Sequence, residues 1–167
     1  MTNTVLRAWD ALSQLPLGAR VFSRAACLRV PYFSSIRPHI TTLAPGHCQV
    51  RMKKRRRVTN HLGTVHAIAM CNLAEVAAGL TAQVTAPSSH RWIPRGMAVE
   101  YLKKAETDLR ARCQSGPLPA LAEHALDWPL QVQVFDTAGQ MVFRAVITLW
   151  VSPKGNGHEL PRTSVAG

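Results

Sequence analysis

The sequence is poor in acidic residues, in aromatic residues and in long apolar runs, and each shortage narrows the possible functions. Only 9 of the 167 residues are Asp or Glu, against 20 Lys and Arg, which leaves a net charge of +11. Aromatic residues make up 6% of the chain, which disfavours a protein that stacks on nucleobases. No apolar run reaches the ~18 residues of a membrane span, so we expect no membrane-crossing helix.

The sequence also lacks the patterns of paired cysteines and of a secretory leader. Its four cysteines are widely spaced and form no Cys-x-x-Cys pair, which fits a reducing compartment. The first residues do not show the charged-then-apolar pattern of a secretory signal, so we expect a cytoplasmic protein. A metal site is not expected, because the one close pair of candidate ligands, His61 and His66, would diverge on a helix.

The chain has the size and the apolar content of one ordinary domain, with 167 residues of which 47% are hydrophobic. An N-terminal helix and a loop are predicted for residues 1–45, the main domain for residues 46–153, and a flexible tail for residues 154–167. The N-terminal helix is indicated by apolar residues at helical spacing, namely Val5, Leu6, Trp9, Leu12 and Leu15.

The main domain combines one long helix with several strands. The helix is predicted from about Thr64 to Thr81, where apolar residues occur almost all round, as in a helix enclosed by protein. Strands are predicted over Cys48–Val58, Trp92–Ala105, Leu109–Gln114, Leu130–Val134 and Met141–Val151. The sequence therefore predicts an α+β fold in which a mainly antiparallel sheet of five or six strands encloses a long central helix.

The long helix contains a single carboxylate, Glu75, among apolar neighbours. A carboxylate in such a place is costly unless it is paired, hydrogen-bonded or used in chemistry. One structural explanation is an ion pair with a buried arginine across a dimer interface. The other explanation is a catalytic role.

The start of this helix favours binding of a polarised carbonyl or an oxyanion. Asn60 can cap the segment, Gly63 permits a close approach, and the first turn carries His61 and His66 but no acidic residue. Free backbone N–H groups at such a helix start attract an oxygen with negative charge. A simple capping role for Asn60 and a packing role for either histidine are the alternatives.

Helical geometry separates the two ends of this candidate site. On one continuous helix His66 and Glu75 would be roughly 900° of rotation and ~13 Å of rise apart, so they would point to opposite sides. Both can serve one reaction only if the carboxylate comes from a second, antiparallel copy of the helix. A two-fold homodimer supplies such a copy.

The run of Asn60, Gly63 and His66, with Glu75 further along, resembles the hotdog-fold thioesterase superfamily. The resemblance is to the phenylacetate-pathway type and to related uncharacterised bacterial hotdog proteins. It implies a hotdog fold and an acyl-CoA thioesterase activity, in which the Ala67 amide binds the thioester carbonyl. Glu75 of the other subunit would be the general base or the nucleophile, and Asn60 and His66 would orient the carbonyl and the water.

Two departures from the family pattern leave a second function open. Ala67 and Ile68 stand where the family has paired glycines, and Glu75 stands where Asp is more frequent. The added bulk at Ala67 and Ile68 could block the approach of water. The alternative is therefore a non-catalytic hotdog module that binds acyl-CoA.

The resemblance and the charge together predict how an acyl-CoA would be held. The acyl pocket is predicted to include Gly63, Met70, Leu73, Met97, Val99 and Tyr101. Arg55, Arg56, Arg57 and Arg91 are predicted to bind the phosphates of coenzyme A, which enters as part of the substrate and not as a separate cofactor. We expect a homodimer or a dimer of dimers. A nucleic acid held by Lys53–Arg57 is the less favoured partner.

Overall fold

The computed structural model of the chain describes residues 3–116 and 125–154. The helices are α1 (Thr4–Ser13), α2 (Gly18–Arg29) and α3 (Ala67–Thr85). The strands are β1 (His39–Ala44), β2 (His47–Met52), β3 (His90–Tyr101), β4 (Leu109–Gln114), β5 (Leu126–Phe135) and β6 (Met141–Pro153). Two short 3-10 turns, Pro31–Ser35 and Arg56–Val58, precede β1 and α3 respectively.

The six strands form one antiparallel sheet in the order β1-β2-β4-β5-β6-β3. Helix α3 packs against all six strands. The prediction of an α+β fold with a long central helix on a mainly antiparallel sheet is confirmed, and this arrangement is the hotdog fold.

Period-two burial shows how the sheet covers α3. On β4, Leu109, Ala111 and Cys113 are buried while the alternate residues are exposed, and β5 follows the same pattern. Helix α3 is long and apolar enough to cross a membrane, but 61% of its most apolar window is buried inside the protein, as in the core helix of a globular fold. The burial of α3 is therefore accounted for by the sheet.

The N-terminal segment is more structured than the sequence predicted. It holds two helices instead of one, and β1 lies within the part predicted as a loop. Phe22 and Ser23 of α2 are buried, and the Ser23 hydroxyl accepts a hydrogen bond from the Ile40 amide of β1 at 2.9 Å. The sheet therefore begins at His39, seven residues before the domain boundary predicted at residue 46. Of the predicted tail, residues 155–167 lie outside the described residues.

Strand β3 occupies one edge of the sheet and is mostly exposed along its 12 residues. Within residues 3–116 and 125–154 β3 pairs only with β6, so its other edge has no strand partner there. Met97 and Tyr101 of β3 are 36% and 48% exposed. A long unprotected edge strand of this kind is a template for pairing with another chain.

Candidate functional site

Helix α3 begins one residue after His66, which acts as its N-cap. The backbone of His66 is extended (φ −65°, ψ 139°), and its Nδ1 accepts a hydrogen bond from the Ile68 amide at 3.1 Å. Its carbonyl accepts from the amides of Ala69 and Met70 at 3.0 and 3.2 Å. Because Nδ1 is an acceptor, the neutral ring carries its proton on Nε2. His66 thus satisfies three of the first four amides of α3.

The remaining amide, that of Ala67, has no acceptor within the described residues. Ala67 is half-buried at the start of the helix. An unpaired N–H at this position carries the positive end of the helix dipole and favours an oxygen with negative charge. The structure therefore leaves free the one donor that the family resemblance assigns to the thioester carbonyl.

The loop that leads into α3 is held by Asn60. Its Oδ1 accepts from the amides of Leu62 and Thr64 at 3.0 and 3.2 Å, and its Nδ2 donates to Oγ1 of Thr64 at 2.9 Å. Gly63 has φ +73°, a backbone conformation that side chains with a Cβ rarely adopt. Asn60 and Gly63 thus shape the loop that presents His66 and the free amide.

A cleft of about 260 Å³ opens beside the start of α3. It is bounded by the first two turns of α3 and by the two 3-10 turns. Its polar lining includes Tyr32, Ser35, Arg57, His66 and Asn72. The cleft is therefore a concave space next to the helix start with a cation on its wall.

Asn72 lies inside this lining with half of its amide group unused. The residue is 4% exposed, and its Nδ2 donates to Oγ of Ser35 at 3.0 Å. Its Oδ1 is buried and has no hydrogen-bond partner. Asn72 is not among the predicted site residues, although a polar side chain in an apolar helix is the same signal that singles out Glu75.

Within residues 3–116 and 125–154, Glu75 lies on a side of α3 that is partly open. The helical spacing places it in a stripe with Ile68, Cys71 and Gly79, which are all half-buried or exposed. No hydrogen bond or ion pair involves the Glu75 side chain within the part of the chain that the structure describes. Its carboxylate is thus available to a ligand or to another subunit.

The edge strand β3 runs beside this stripe. The Cys71 sulfur and the Tyr101 hydroxyl are 3.3 Å apart, and a Cβ on Gly79 would lie 3.4 Å from the Trp92 ring. The hydrogen bond with Cys71 is the largest cause, and burial the second, of a pKa of Tyr101 raised to about 12. The phenol therefore stays neutral at physiological pH. The open stripe of α3 and the open edge of the sheet therefore belong to one surface.

One chain does not bring Ala67 and Glu75 together. They are eight residues apart on one helix, which corresponds to ~12 Å of rise. His66 is a cap and not part of the helix, so the expectation that His66 and Glu75 point to opposite sides of one continuous helix does not apply. The separation of Ala67 from Glu75 has the same consequence, since two groups so far apart cannot act on one carbonyl carbon.

The residues predicted to bind phosphate are distributed over two places. Arg57 lines the cleft, Arg56 is exposed beside it, and Nη2 of Arg55 donates to the Ser35 carbonyl at 3.2 Å. Arg91 lies at the start of β3, where its Nε donates to Oγ of Ser152 at 3.2 Å. Of the four arginines, Arg57 is thus part of the cleft lining, Arg55 contacts Ser35 of that lining, and neither Arg56 nor Arg91 is part of it.

The residues predicted to form the acyl pocket are also separated. Met70 and Leu73 are 4% and 0% exposed and belong to the core, and Ile68 and Ala69 line the cleft instead. Met97, Val99 and Tyr101 lie on the edge strand β3.

Within residues 3–116 and 125–154, no three His, Cys, Asp or Glu side chains form a group that could hold a metal ion.

Comparisons with known proteins agree with this architecture. A family profile described as a domain of unknown function (DUF4442) matches residues 18–151. A crystal structure named only as the genomics target APC5556 is similar to the chain at 41% sequence identity, over 89% of this chain and 98% of its own, with a TM-score of 0.78. No protein with a curated description matches the chain in sequence.

Two more distant structures show the same fold. A thioesterase from Haemophilus influenzae is 15% identical, covers 77% of this chain and 87% of its own, and has a TM-score of 0.65. The phenylacetic acid degradation protein PaaI from Thermus thermophilus is 20% identical, covers 72% of this chain and 97% of its own, and has a TM-score of 0.61. The chain belongs to the DUF4442 family and has the hotdog fold, which it shares with these more distant structures.

Proposed function

We propose that this protein is a thioester hydrolase that acts on acyl-CoA. The observation that carries the proposal is the unpaired Ala67 amide at the N-terminus of α3, beside a cleft of about 260 Å³. A preorganised N–H at a helix start stabilises the negative charge that develops on a carbonyl oxygen under attack. The hotdog-fold proteins that are named thioesterases support hydrolysis as the type of reaction.

The proposed active unit is a homodimer formed through β3. A two-fold axis perpendicular to the sheet would pair the open edge of β3 with its copy and would continue the sheet across both subunits. The same axis reverses the direction of α3, so the two open stripes would face each other antiparallel. Glu75 of one subunit would then lie beside Ala67 of the other. The two groups could act on one carbonyl, although within one chain they are ~12 Å apart.

The reaction proceeds by addition and elimination at the thioester carbon. Glu75 takes a proton from water, the hydroxide oxygen bonds to the carbonyl carbon, and the Ala67 amide stabilises the resulting oxyanion. Collapse of this intermediate breaks the C–S bond, and the coenzyme A thiolate leaves and is protonated. Direct attack by the Glu75 carboxylate, followed by hydrolysis of the anhydride, gives the same products. In this proposal His66 would hold the substrate or the water through its Nε2–H.

The basic segment supports coenzyme A as the carrier. Arg57 on the cleft wall, with Arg56 and Lys53 exposed nearby, would bind the phosphates at the cleft mouth. No resident cofactor is needed, because water and the thioester supply all the atoms. The cysteines of the described residues are free thiols, which a reducing cytoplasm maintains, and we place the reaction there.

The test is a thiol-release assay over short, medium, long and aromatic acyl-CoAs with the unmodified protein and Glu75→Gln. We expect at least one acyl-CoA to be hydrolysed and Glu75→Gln to lower kcat by about 10²–10⁴-fold, the usual effect of losing a general base or nucleophile. The matched control is Glu106→Gln, which removes an exposed carboxylate that is not part of the cleft lining. Full activity of Glu75→Gln would show that another group performs the chemistry.

One observation favours a non-catalytic acyl-CoA binding module as the second candidate. Ile68 lines the cleft and is 55% exposed, at a position where the superfamily has glycine, so its side chain can occupy the path of water. Tight acyl-CoA binding by the unmodified protein without thiol release would select the module. Hydrolysis that appears only in Ile68→Gly would identify Ile68 as the obstruction.

A further inference from the structure

Asn72 and Ser35 form a polar pair on the wall of the cleft that the chain itself does not satisfy. Asn72 is 4% exposed and donates from Nδ2 to the Ser35 hydroxyl oxygen at 3.0 Å, while its Oδ1 is buried with no partner. The Ser35 hydroxyl proton also has no acceptor within residues 3–116 and 125–154. The pair thus leaves one acceptor, the buried Asn72 Oδ1, and one donor, the hydroxyl of the exposed Ser35, unused at the cleft wall.

The number of unused donors and acceptors in the pair does not depend on which way the Asn72 amide is turned. With the amide reversed, Oδ1 accepts from the Ser35 hydroxyl, and the pair then presents the Asn72 N–H₂ as donor and the Ser35 oxygen as acceptor. In both orientations one donor and one acceptor remain next to each other. A hydroxyl group is the smallest group that complements both, since it donates one hydrogen bond and accepts another.

We propose that the Asn72–Ser35 pair binds a hydroxyl group on the acyl chain, so that the cleft selects hydroxylated acyl thioesters over their unsubstituted counterparts. A buried polar group without a partner is costly, and a substrate hydroxyl removes that cost, whereas a methylene leaves it in place. This inference rests on the proposed function, because it takes the cleft as the place that receives the acyl group.

The position of the pair relative to Ala67 sets where the hydroxyl lies. Ala67 and Asn72 are five residues apart on α3, which corresponds to about 7.5 Å along the axis, and the Asn72 side chain leans back toward the helix start. A carbonyl held by the Ala67 amide therefore has its first few acyl carbons beside Asn72. The selected hydroxyl belongs near the carbonyl and not at the end of a long chain.

The test measures binding and turnover separately. Dissociation constants for butyryl-CoA and 3-hydroxybutyryl-CoA are measured by titration calorimetry on full-length Glu75→Gln, in which the thioester stays intact. We expect the hydroxylated compound to bind about tenfold or more tightly. Adding Asn72→Leu or Ser35→Ala abolishes the difference, while Ser34→Ala, at the neighbouring exposed serine, retains it. Asn72→Leu keeps a similar volume and removes an unsatisfied group, so it is expected to fold, which its melting temperature checks.

Each outcome separates this inference from the proposed function. Equal affinity for the two thioesters, or a preference that survives Asn72→Leu in a folded protein, overturns the hydroxyl subsite. A preference that depends on Asn72, in a protein whose unmodified form releases no thiol, supports the subsite and overturns hydrolysis. If neither thioester binds, the hydroxyl subsite falls, whereas hydrolysis is decided separately by the thiol-release panel over the longer and aromatic acyl-CoAs.

Discussion

Replacing Ala67 with proline removes the proposed oxyanion donor while leaving α3 intact. Ala67 is the first residue of α3, where proline is well tolerated because its missing N–H would have had no intrahelical acceptor. The Ala67 amide indeed has no acceptor within the described residues, so no hydrogen bond is lost. The preceding residue, His66, already has the extended backbone that proline requires of its neighbour (φ −65°, ψ 139°).

The expected result is a stable but inactive protein. Loss of one oxyanion-hole donor lowers kcat by about 10²–10³-fold, or ~2.7–4 kcal/mol in the barrier. A proline at a compatible position changes the free energy of unfolding by only about 0.4–1 kcal/mol, in the stabilising direction. The melting temperature of Ala67→Pro should therefore equal or exceed that of the unmodified protein.

Two variants serve as controls for Ala67→Pro in the same thiol-release assay. Ala67→Gly keeps the amide and removes only a methyl group, so it should retain or increase kcat. Ile68→Pro removes the amide that donates to His66 and forces Ala67 away from helical geometry, so it should lower the melting temperature. If Ala67→Pro is folded and hydrolyses acyl-CoA within a few fold of the unmodified rate, the amide is not the oxyanion donor.

The dimer and the N-terminal packing give two further predictions. If Ala67 faces Glu75 of the partner subunit, the two-fold axis passes near Cys71, which is midway between them in sequence. The two Cys71 thiols of the dimer would then lie close together. A short bismaleimide should therefore cross-link two Cys27→Ser chains through Cys71, which a denaturing gel detects as a dimer. Labelling of Cys71 without cross-linking would contradict that placement. Gly18→Ala places a Cβ 1.7 Å from the Leu12 carbonyl oxygen, so it should lower the free energy of unfolding by about 1–3 kcal/mol in urea titrations. Gly116→Ala, where no atom of the described residues lies within 4 Å of the added Cβ, should not.

The sequence was sufficient to predict the central helix and most strands, because their apolar periodicity is strong. The start of α3 differed, since His66 caps the helix through Nδ1, a role more often filled by Ser, Thr, Asn or Asp. The end also differed, because Thr81 does not terminate the helix. Its hydroxyl donates to the Ala77 carbonyl at 2.8 Å, so this side chain is satisfied within a continuing helix.

The N-terminal elements were harder to predict because their partners are distant in sequence. Helix α2 buries only Gly18, Phe22 and Ser23, so its apolar stripe is narrow. Strand β1 lies between Pro38 and Pro45, which indicate loops in sequence, and its pairing with β2 becomes visible only in the fold. The cleft depends on the same segment, since Ser35 reaches Asn72 across 37 positions, and no local pattern reports that contact.

The most direct test of the central claim is complementation between two inactive variants. Ala67→Pro and Glu75→Gln, carrying different affinity tags, are co-expressed, and the mixed dimer is purified through both tags. One of its two sites combines an intact Ala67 amide with an intact Glu75 from the other chain, so thiol release should return to about half the rate of the unmodified dimer. A mixed dimer as inactive as its parents would contradict the claim that the two subunits share each site.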